Sequence, residues 1–244
     1  MSEDDGYVDG DARVLEGGEG SMQRPGLSRE RIVVAAVEFI DDSGLPGLTM
    51  RKLGQQLGVE AMSLYRYVPS REDLLDEVVA WVMGEMEDDP DVVSSPVNGW
   101  QDFLQRLAHA VRRVAVKHPR VFPLVASRPV EAPWLRPPLR SLSWVERFLD
   151  ALLDEGFDDD GAVGAYRAFS SFLLGHLLLE VAVHGADVGP LDVVEEDPGE
   201  RNLAEYPTVE RLRPALSDDQ SAIEFEDALE ELLRRLELIR TGVG

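Results

Sequence analysis

Residues 49–75 read TMRKLGQQLGVEAMSLYRYVPSREDLL, and they set Arg51, Lys52, Arg66, Arg71, Tyr65 and Tyr67 around Gly58 in a chain of formal charge −23. Thr49 is placed to cap a short helix carrying Leu53 and Leu57, and Gly58 suits a turn with unusual dihedral angles. A third short helix runs to about Tyr67 and ends at Pro69. Ser70 and Asp73 then open a fourth helix as a capping box. Two short helices about a glycine turn, packed on a longer preceding helix, form the helix-turn-helix arrangement. Val59, Met62 and Leu64 are expected to pack inward. Glu60, Ala61, Ser63, Tyr65, Arg66 and Tyr67 are left for base edges and phosphates. Thr49 offers a hydroxyl and free backbone N–H groups to a phosphate, and Arg71 is placed for the flanking backbone. The candidate DNA-contact set is therefore Thr49, Arg51, Lys52, Glu60, Ala61, Met62, Ser63, Tyr65, Arg66, Tyr67 and Arg71. Arg66 suits guanine or a phosphate, and Glu60 suits cytosine N4 or a helix cap.

Charge supports this placement. From Arg24 to Arg71 there are seven basic and five acidic residues, so the segment carries +2 and the remainder −25. Such asymmetry orients a molecule on a polyanion and repels its other end. The chain has 244 residues, 44% of them hydrophobic, enough for one large domain or a small one joined to a larger. Without cysteine there is neither a disulfide nor a thiolate metal site, which fits a reducing compartment. The acidic start MSEDDGYVDGD lacks the apolar segment of a secretory signal. The most apolar stretch, Phe169 to Val183, is broken by Gly175, His176 and Glu180 and reads as too short to cross a bilayer. A cytoplasmic protein with no membrane partner is expected.

The rest of the chain reads as all-α, with about nine to ten helices. Residues 1–23 are an acidic tail, expected to be disordered; 24–87 are a three-helix helix-turn-helix domain with its following helix; 88–244 are a larger ligand-binding and dimerisation domain. Ser28 caps the first helix, with Leu27 and Ile32 spaced as a hydrophobic staple. Ile32, Ala36, Phe39 and Ile40 form its stripe, and Gly44 stops it. Leu74, Leu75, Val78, Val79 and Val82 mark the fourth helix, which ends by Pro90. Trp100, Phe103, Leu104, Leu107, Val111 and Val114 mark a fifth, before a proline-studded zone at Pro119–Pro138. Another helix, carrying Leu142, Val145, Phe148, Leu149 and Leu152, is closed by Gly156. Asp158–Asp160 cap a helix from Ala162 to about Val183. Residues 185–202 read as a loop and Pro207–Leu216 as a short helix. The last helix, Ser221 to Arg240, aligns Phe225, Leu229, Leu232, Leu236 and Ile239.

The run L-T-M-R-K-L-G-Q-Q-L-G-V-E-A-M-S-L-Y-R-Y-V, followed by S-R-E-D-L-L-D, resembles the tetracycline repressor (TetR) family of bacterial transcriptional regulators over about residues 27–87. Gly54 stands where alanine is usual and Arg71 where lysine is usual; both departures are expected to be mild. Weaker resemblance to the tetracycline repressor's own subgroup lies in S-R-P (Ser127–Pro129), E-G-F-D (Glu155–Asp158) and S-F-L-L-G (Ser171–Gly175). It implies a repressor whose partners are a double-stranded DNA operator, a second copy of the chain and a small-molecule effector. The dimer would form through 162–183 and 221–240. The helix at 162–183 is apolar nearly all round, which independently asks for burial on two sides.

The same alignment puts Leu124 at the metal-binding histidine position, Ser171 where a water-holding histidine would stand and Leu179 where a glutamate would. Leucine cannot orient a hydrated metal, so no metal or cofactor is expected and the effector should be largely apolar. The candidate pocket is Phe103, Leu107, Leu124, Ser127, Trp144, Phe148, Phe169, Phe172 and His176, though these aromatics equally suit a plain core. His176 could meet ligand or bond a core carbonyl, while His109 and His118 read as surface or capping residues. With no nucleophile motif or clustered metal ligands, an enzyme is disfavoured. A sensor without DNA binding and an activator on the same fold are the alternative readings.

Overall fold

A computed structural model of the protein describes residues 26–92, 96–187 and 205–242. The expected tail at 1–23 and nearly all of the expected loop at 185–202 lie outside them. Among the described residues there are ten α-helices and no strand. They are α1 (Arg29–Ser43), α2 (Met50–Leu57), α3 (Ala61–Leu64), α4 (Arg71–Glu87), α5 (Trp100–Lys117), α6 (Phe122–Ser127), α7 (Leu142–Asp154), α8 (Asp159–Val183), α9 (Pro207–Leu216) and α10 (Ser221–Arg240). A single 3-10 turn, Leu45–Gly47, joins α1 to α2.

Local chemistry starts most of these helices. The hydroxyls of Ser28, Thr49, Ser70 and Ser141 each accept the backbone N–H three residues on, as does the Asp158 carboxylate. These bonds satisfy donors that a helix start leaves without partners. Ser70 Oγ also donates to Asp73 Oδ2 at 2.6 Å, so the expected pairing of these two residues forms. Helix α4 packs on α1 on one side and on α5 and α6 on the other, and α8 packs against α5, α6, α7 and α10.

Three expectations need correction. Helix α6 lies inside the proline-studded zone, where no helix was expected. Its proline, Pro123, sits in the first turn, where a missing N–H costs nothing. Helix α8 begins at Asp159 and runs 25 residues. By length and composition it is the one helix among the described residues apolar enough to cross a membrane, contrary to the reading of that stretch as too short. Its inner face nevertheless packs in the C-terminal core and carries a buried charge. On α10 the inward face is Phe225, Leu229, Leu233 and Leu236; Leu232 is only half-buried and Ile239 is exposed.

The buried charge is Glu180, 3% exposed. The Arg112 guanidinium donates to both its oxygens, the shortest contact being 2.6 Å, and lies 5.2 Å from the Phe225 ring centre. Removing one member of such a pair strands the other charge away from water. Arg112→Ala is expected to lower unfolding free energy by about 3 kcal/mol, checked by urea denaturation. Arg112→Ala combined with Glu180→Leu should recover much of the loss.

Candidate nucleic-acid interface and ligand cavity

The geometry of the reading unit is set where α2 turns into α3. Gly58 adopts left-handed dihedrals (φ 72°, ψ 32°), and Val59 N–H donates to the Gly54 carbonyl at 2.9 Å. Gly54 lies directly beneath the following backbone. A Cβ there would stand 2.9 Å from the Val59 carbonyl oxygen and 3.2 Å from the Ala61 nitrogen. Its departure from alanine is thus a packing feature as well as a small loss of helix propensity.

Leu64 and Val68 are fully buried and Val59 partly so, anchoring α3 to the core. Met62 is 74% exposed, which corrects its assignment to the inner face. Thr49, Arg51, Lys52, Glu60, Met62, Tyr65, Arg66 and Tyr67 are exposed, and Ala61, Ser63 and Arg71 are half-exposed. Glu60 stands at the N-cap position of α3, but its carboxylate makes no capping bond. The Thr49 hydroxyl accepts Lys52 N–H.

Arg71 does something the sequence did not disclose. Its guanidinium donates to the Leu48 carbonyl at 3.3 Å and the Leu45 carbonyl at 3.5 Å. It thereby fastens the start of α4 to the α1–α2 connection and has less freedom to turn outward. By contrast, Arg51 and Arg66 have no ion pair among the described residues, and Lys52 only lies 6.0 Å from the Phe39 ring centre.

Behind the reading unit, a cavity of about 340 Å³ opens between α4 and residues 129–144. Val79, Met83, Met86 and Trp144 are buried side chains in its wall, and Asp76, Glu87, Glu131 and Arg140 bring charge to it. Trp144 donates its indole N–H to Glu87 at 2.7 Å, and Arg147 stacks on the same ring at 3.9 Å. Burial pushes the Arg140 guanidinium below its ordinary pKa, with Asp76 acting the other way. Arg140 also donates to the carbonyls of Val125 and Pro129. Next to it Arg128 spans Asp76 and Glu72, at 2.7 and 2.5 Å, and these carboxylates hold it above the usual guanidinium pKa despite burial.

The nine residues expected as a pocket do not form one wall. Of them, Trp144 lines this cavity. Phe103, Leu107, Leu124, Phe148 and Phe169 are buried in the hydrophobic core, with Phe148 and Phe169 in ring contact at 5.4 Å. Phe172 and His176 form a second cluster with Phe225, and His176 Nε2 meets the Ser221 carbonyl at 3.2 Å. The Ser127 hydroxyl turns back to the Leu124 carbonyl. The cavity-lining residues of α4 were missed because its apolar spacing accounts equally for a plain core helix.

A helix-turn-helix unit with exposed cations, carried on a larger helical body, defines a DNA-binding regulator. Two family models match the chain: "Bacterial regulatory proteins, tetR family" over residues 32–78, and "Tetracyclin repressor-like, C-terminal domain" over residues 94–239. The second alone spans more than half the chain, which therefore belongs to the TetR family of transcriptional regulators. An HTH-type transcriptional regulator of Saccharopolyspora erythraea is 32% identical over 203 residues, covering 83% of this chain and 81% of the relative. The class D tetracycline repressor of Escherichia coli is 29% identical over 220 residues, covering 89% and 92%. A crystal structure of a possible TetR-family regulator from Streptomyces coelicolor A3(2) superposes with TM-score 0.67 at 28% identity, covering 87% of this chain and all of that one.

Gly54→Val tests the close approach beneath the turn. Its branched side chain would drive α3 off α2, and the expected cost is about 2 kcal/mol. Thermal unfolding should show the loss, and specific DNA binding should fail with it.

Proposed function

We propose that the chain is a homodimeric repressor, released from a palindromic operator by a small, largely apolar effector, and that it acts in the cytoplasm without catalytic activity. In this reading residues 24–87 read DNA, residues 88–244 bind effector and dimerise, and residues 1–23 form an acidic tail. The observation that carries it is the state of the cations. In a chain with 47 acidic and 24 basic residues, Arg29, Arg106, Arg112, Arg113, Lys117, Arg128, Arg234 and Arg240 are all ion-paired. Among the described residues, Arg51 and Lys52 on α2 and Arg66 just past α3 stand exposed without a carboxylate on either side of the Gly58 turn; Arg167, Arg211, Arg213 and Arg235 are also exposed without an ion pair, but lie on α8, α9 and α10, away from that turn. Unpaired cations of this kind take phosphates.

Support for the dimer comes from α8. Gly164, Ala168, Ser171, Gly175, Leu179 and Ala182 recur every three or four residues, which places them along one side of the helix. Leu179 is 72% exposed and Val183 61%, and Cβ atoms added at Gly164 or Gly175 would meet nothing within 4 Å. Ile223, Leu238 and Ile239 of α10 are likewise exposed. A second copy would cover these side chains. The apolar part of the α4 cavity supports the effector class. Leu124 gives no ligand for a metal-bound drug, which separates this chain from its tetracycline-repressor relatives.

Two experiments test the reading. Selection from a pool of random DNA duplexes should recover a palindrome with half-sites about 34–36 Å apart, with affinity falling steeply as salt rises. Arg66→Ala should weaken binding by about tenfold to a hundredfold, and a folded dimer that enriches no sequence at low salt would overturn the repressor. Gly175→Arg puts a bulky charge on the uncovered side of α8. It should leave helical circular dichroism intact and give a monomer by light scattering; an unchanged dimer mass would sink the α8 interface.

A further inference from the structure

At the end of α5 the chain carries a histidine that the sequence reads as a surface or capping residue. It is neither exposed nor merely a cap. His118 is 7% exposed and lies between two carboxylates from different helices. Its Nδ1 is 2.6 Å from Asp41 Oδ2 of α1, and its Nε2 is 3.3 Å from Glu85 Oε2 of α4. Carboxylates accept and do not donate. Both contacts are hydrogen bonds at once only if both ring nitrogens bear protons, that is, as the imidazolium.

The surroundings reinforce the contact between α1 and the helices behind it. Arg120, two residues on, donates to the carbonyls of Asp41 and Asp42 at 3.2 and 2.7 Å, satisfying acceptors that the end of α1 leaves open. Lys117 holds Glu85 through both carboxylate oxygens at 2.8 Å. Trp81 of α4 meets the imidazole ring edge-on, with centres 6.0 Å apart. The second oxygen of Asp41 is buried without a hydrogen-bond partner, so Asp41 relies on His118 for its compensation. Among the described residues no group of three His, Asp or Glu side chains is placed to hold a metal. The cluster is therefore an ion-pair clamp.

We propose that His118 is a positioning residue for DNA reading: its imidazolium, assisted by Arg120, clamps α1 to α4 and α5 and so fixes the angle at which α2 and α3 are presented. Palindrome binding needs both reading units at a set separation, whereas a half-site needs only one. The clamp should therefore act on full-site binding and leave half-site binding alone. The inference rests on the helix-turn-helix reading DNA and is independent of what fills the α4 cavity.

The first measurement needs no operator. The chain has no cysteine, so Gln56→Cys on α2 and Glu146→Cys on α7, both exposed positions, give two unique sites for spin labels. Doubly labelled protein diluted into unlabelled protein reports the distance within one chain. The distribution should be narrow in the parent and broader or displaced in His118→Leu. It should be narrow again in His118→Arg, which keeps a charged donor able to reach both carboxylates.

On the selected duplex, His118→Leu should lose roughly tenfold in affinity for the palindrome, within the usual range of coupling between sites, and change half-site affinity by less than about twofold. An unchanged distance distribution in His118→Leu, with only the melting temperature lowered, would overturn the proposal. If His118→Leu does not fold, His118→Gln takes its place, since an amide cannot donate from opposite edges. A parent-like distribution there would overturn the proposal equally.

Discussion

Helix α4 is packed on both sides at once, and the rest of the molecule is arranged around that constraint. Leu74, Leu75, Val78, Val79, Val82, Met83 and Met86 are all buried along it. They meet α1 in one direction and α5 and α6 in the other. Packed interfaces shift between discrete arrangements more readily than they deform. A displacement of α4 must therefore be answered by the reading unit and by the helices behind it. Its two ends are secured by polar bonds. Arg71 fastens the first turn to the α1–α2 connection, Arg128 crosses from the end of α6 to Glu72 and Asp76, and Lys117 and His118 hold Glu85.

The parts of this architecture legible in the sequence are those governed by neighbours in the chain. A hydroxyl or carboxylate three residues ahead of a free N–H is a local signal, which is why the starts at Ser28, Thr49, Ser70 and Asp158 could be read directly. Gly58 was legible for the same reason. Surfaces were harder. On α10, Leu232, Leu233, Leu236, Leu238 and Ile239 offer more than one apolar stripe, and spacing alone does not say which one meets the chain's own core. Met62 was misplaced because a helix of four residues is too short to show a period. Helix α6 was hidden by the prolines around it, while the one it contains, Pro123, is harmless in its first turn.

What the sequence could not carry were contacts between distant residues. Asp41 lies 77 residues from His118 and Glu85 lies 33, so nothing local marks that histidine as buried. The aromatic residues chosen as a pocket, which do not line one wall, meet a related difficulty. A phenylalanine facing another phenylalanine and one facing a ligand look identical in a sequence. Only the packing of Phe148 on Phe169 shows that those rings already have partners. The candidate DNA-contact cations were easier to propose, since Arg51, Lys52 and Arg66 lie close together in the chain on either side of Gly58.

The cavity beside α4 is built from two kinds of residue, and this bears on how its selectivity can evolve. Val79, Met83, Met86 and Trp144 belong to the hydrophobic core as much as to the cavity wall. A substitution at any of them alters the packing that holds α4, so a change in ligand preference there is also a change in stability. Ala80 and Pro129 line the same space from exposed positions and carry little of that burden. New chemistry at this cavity is therefore most accessible through its rim, while its floor is held nearly constant by the demands of folding.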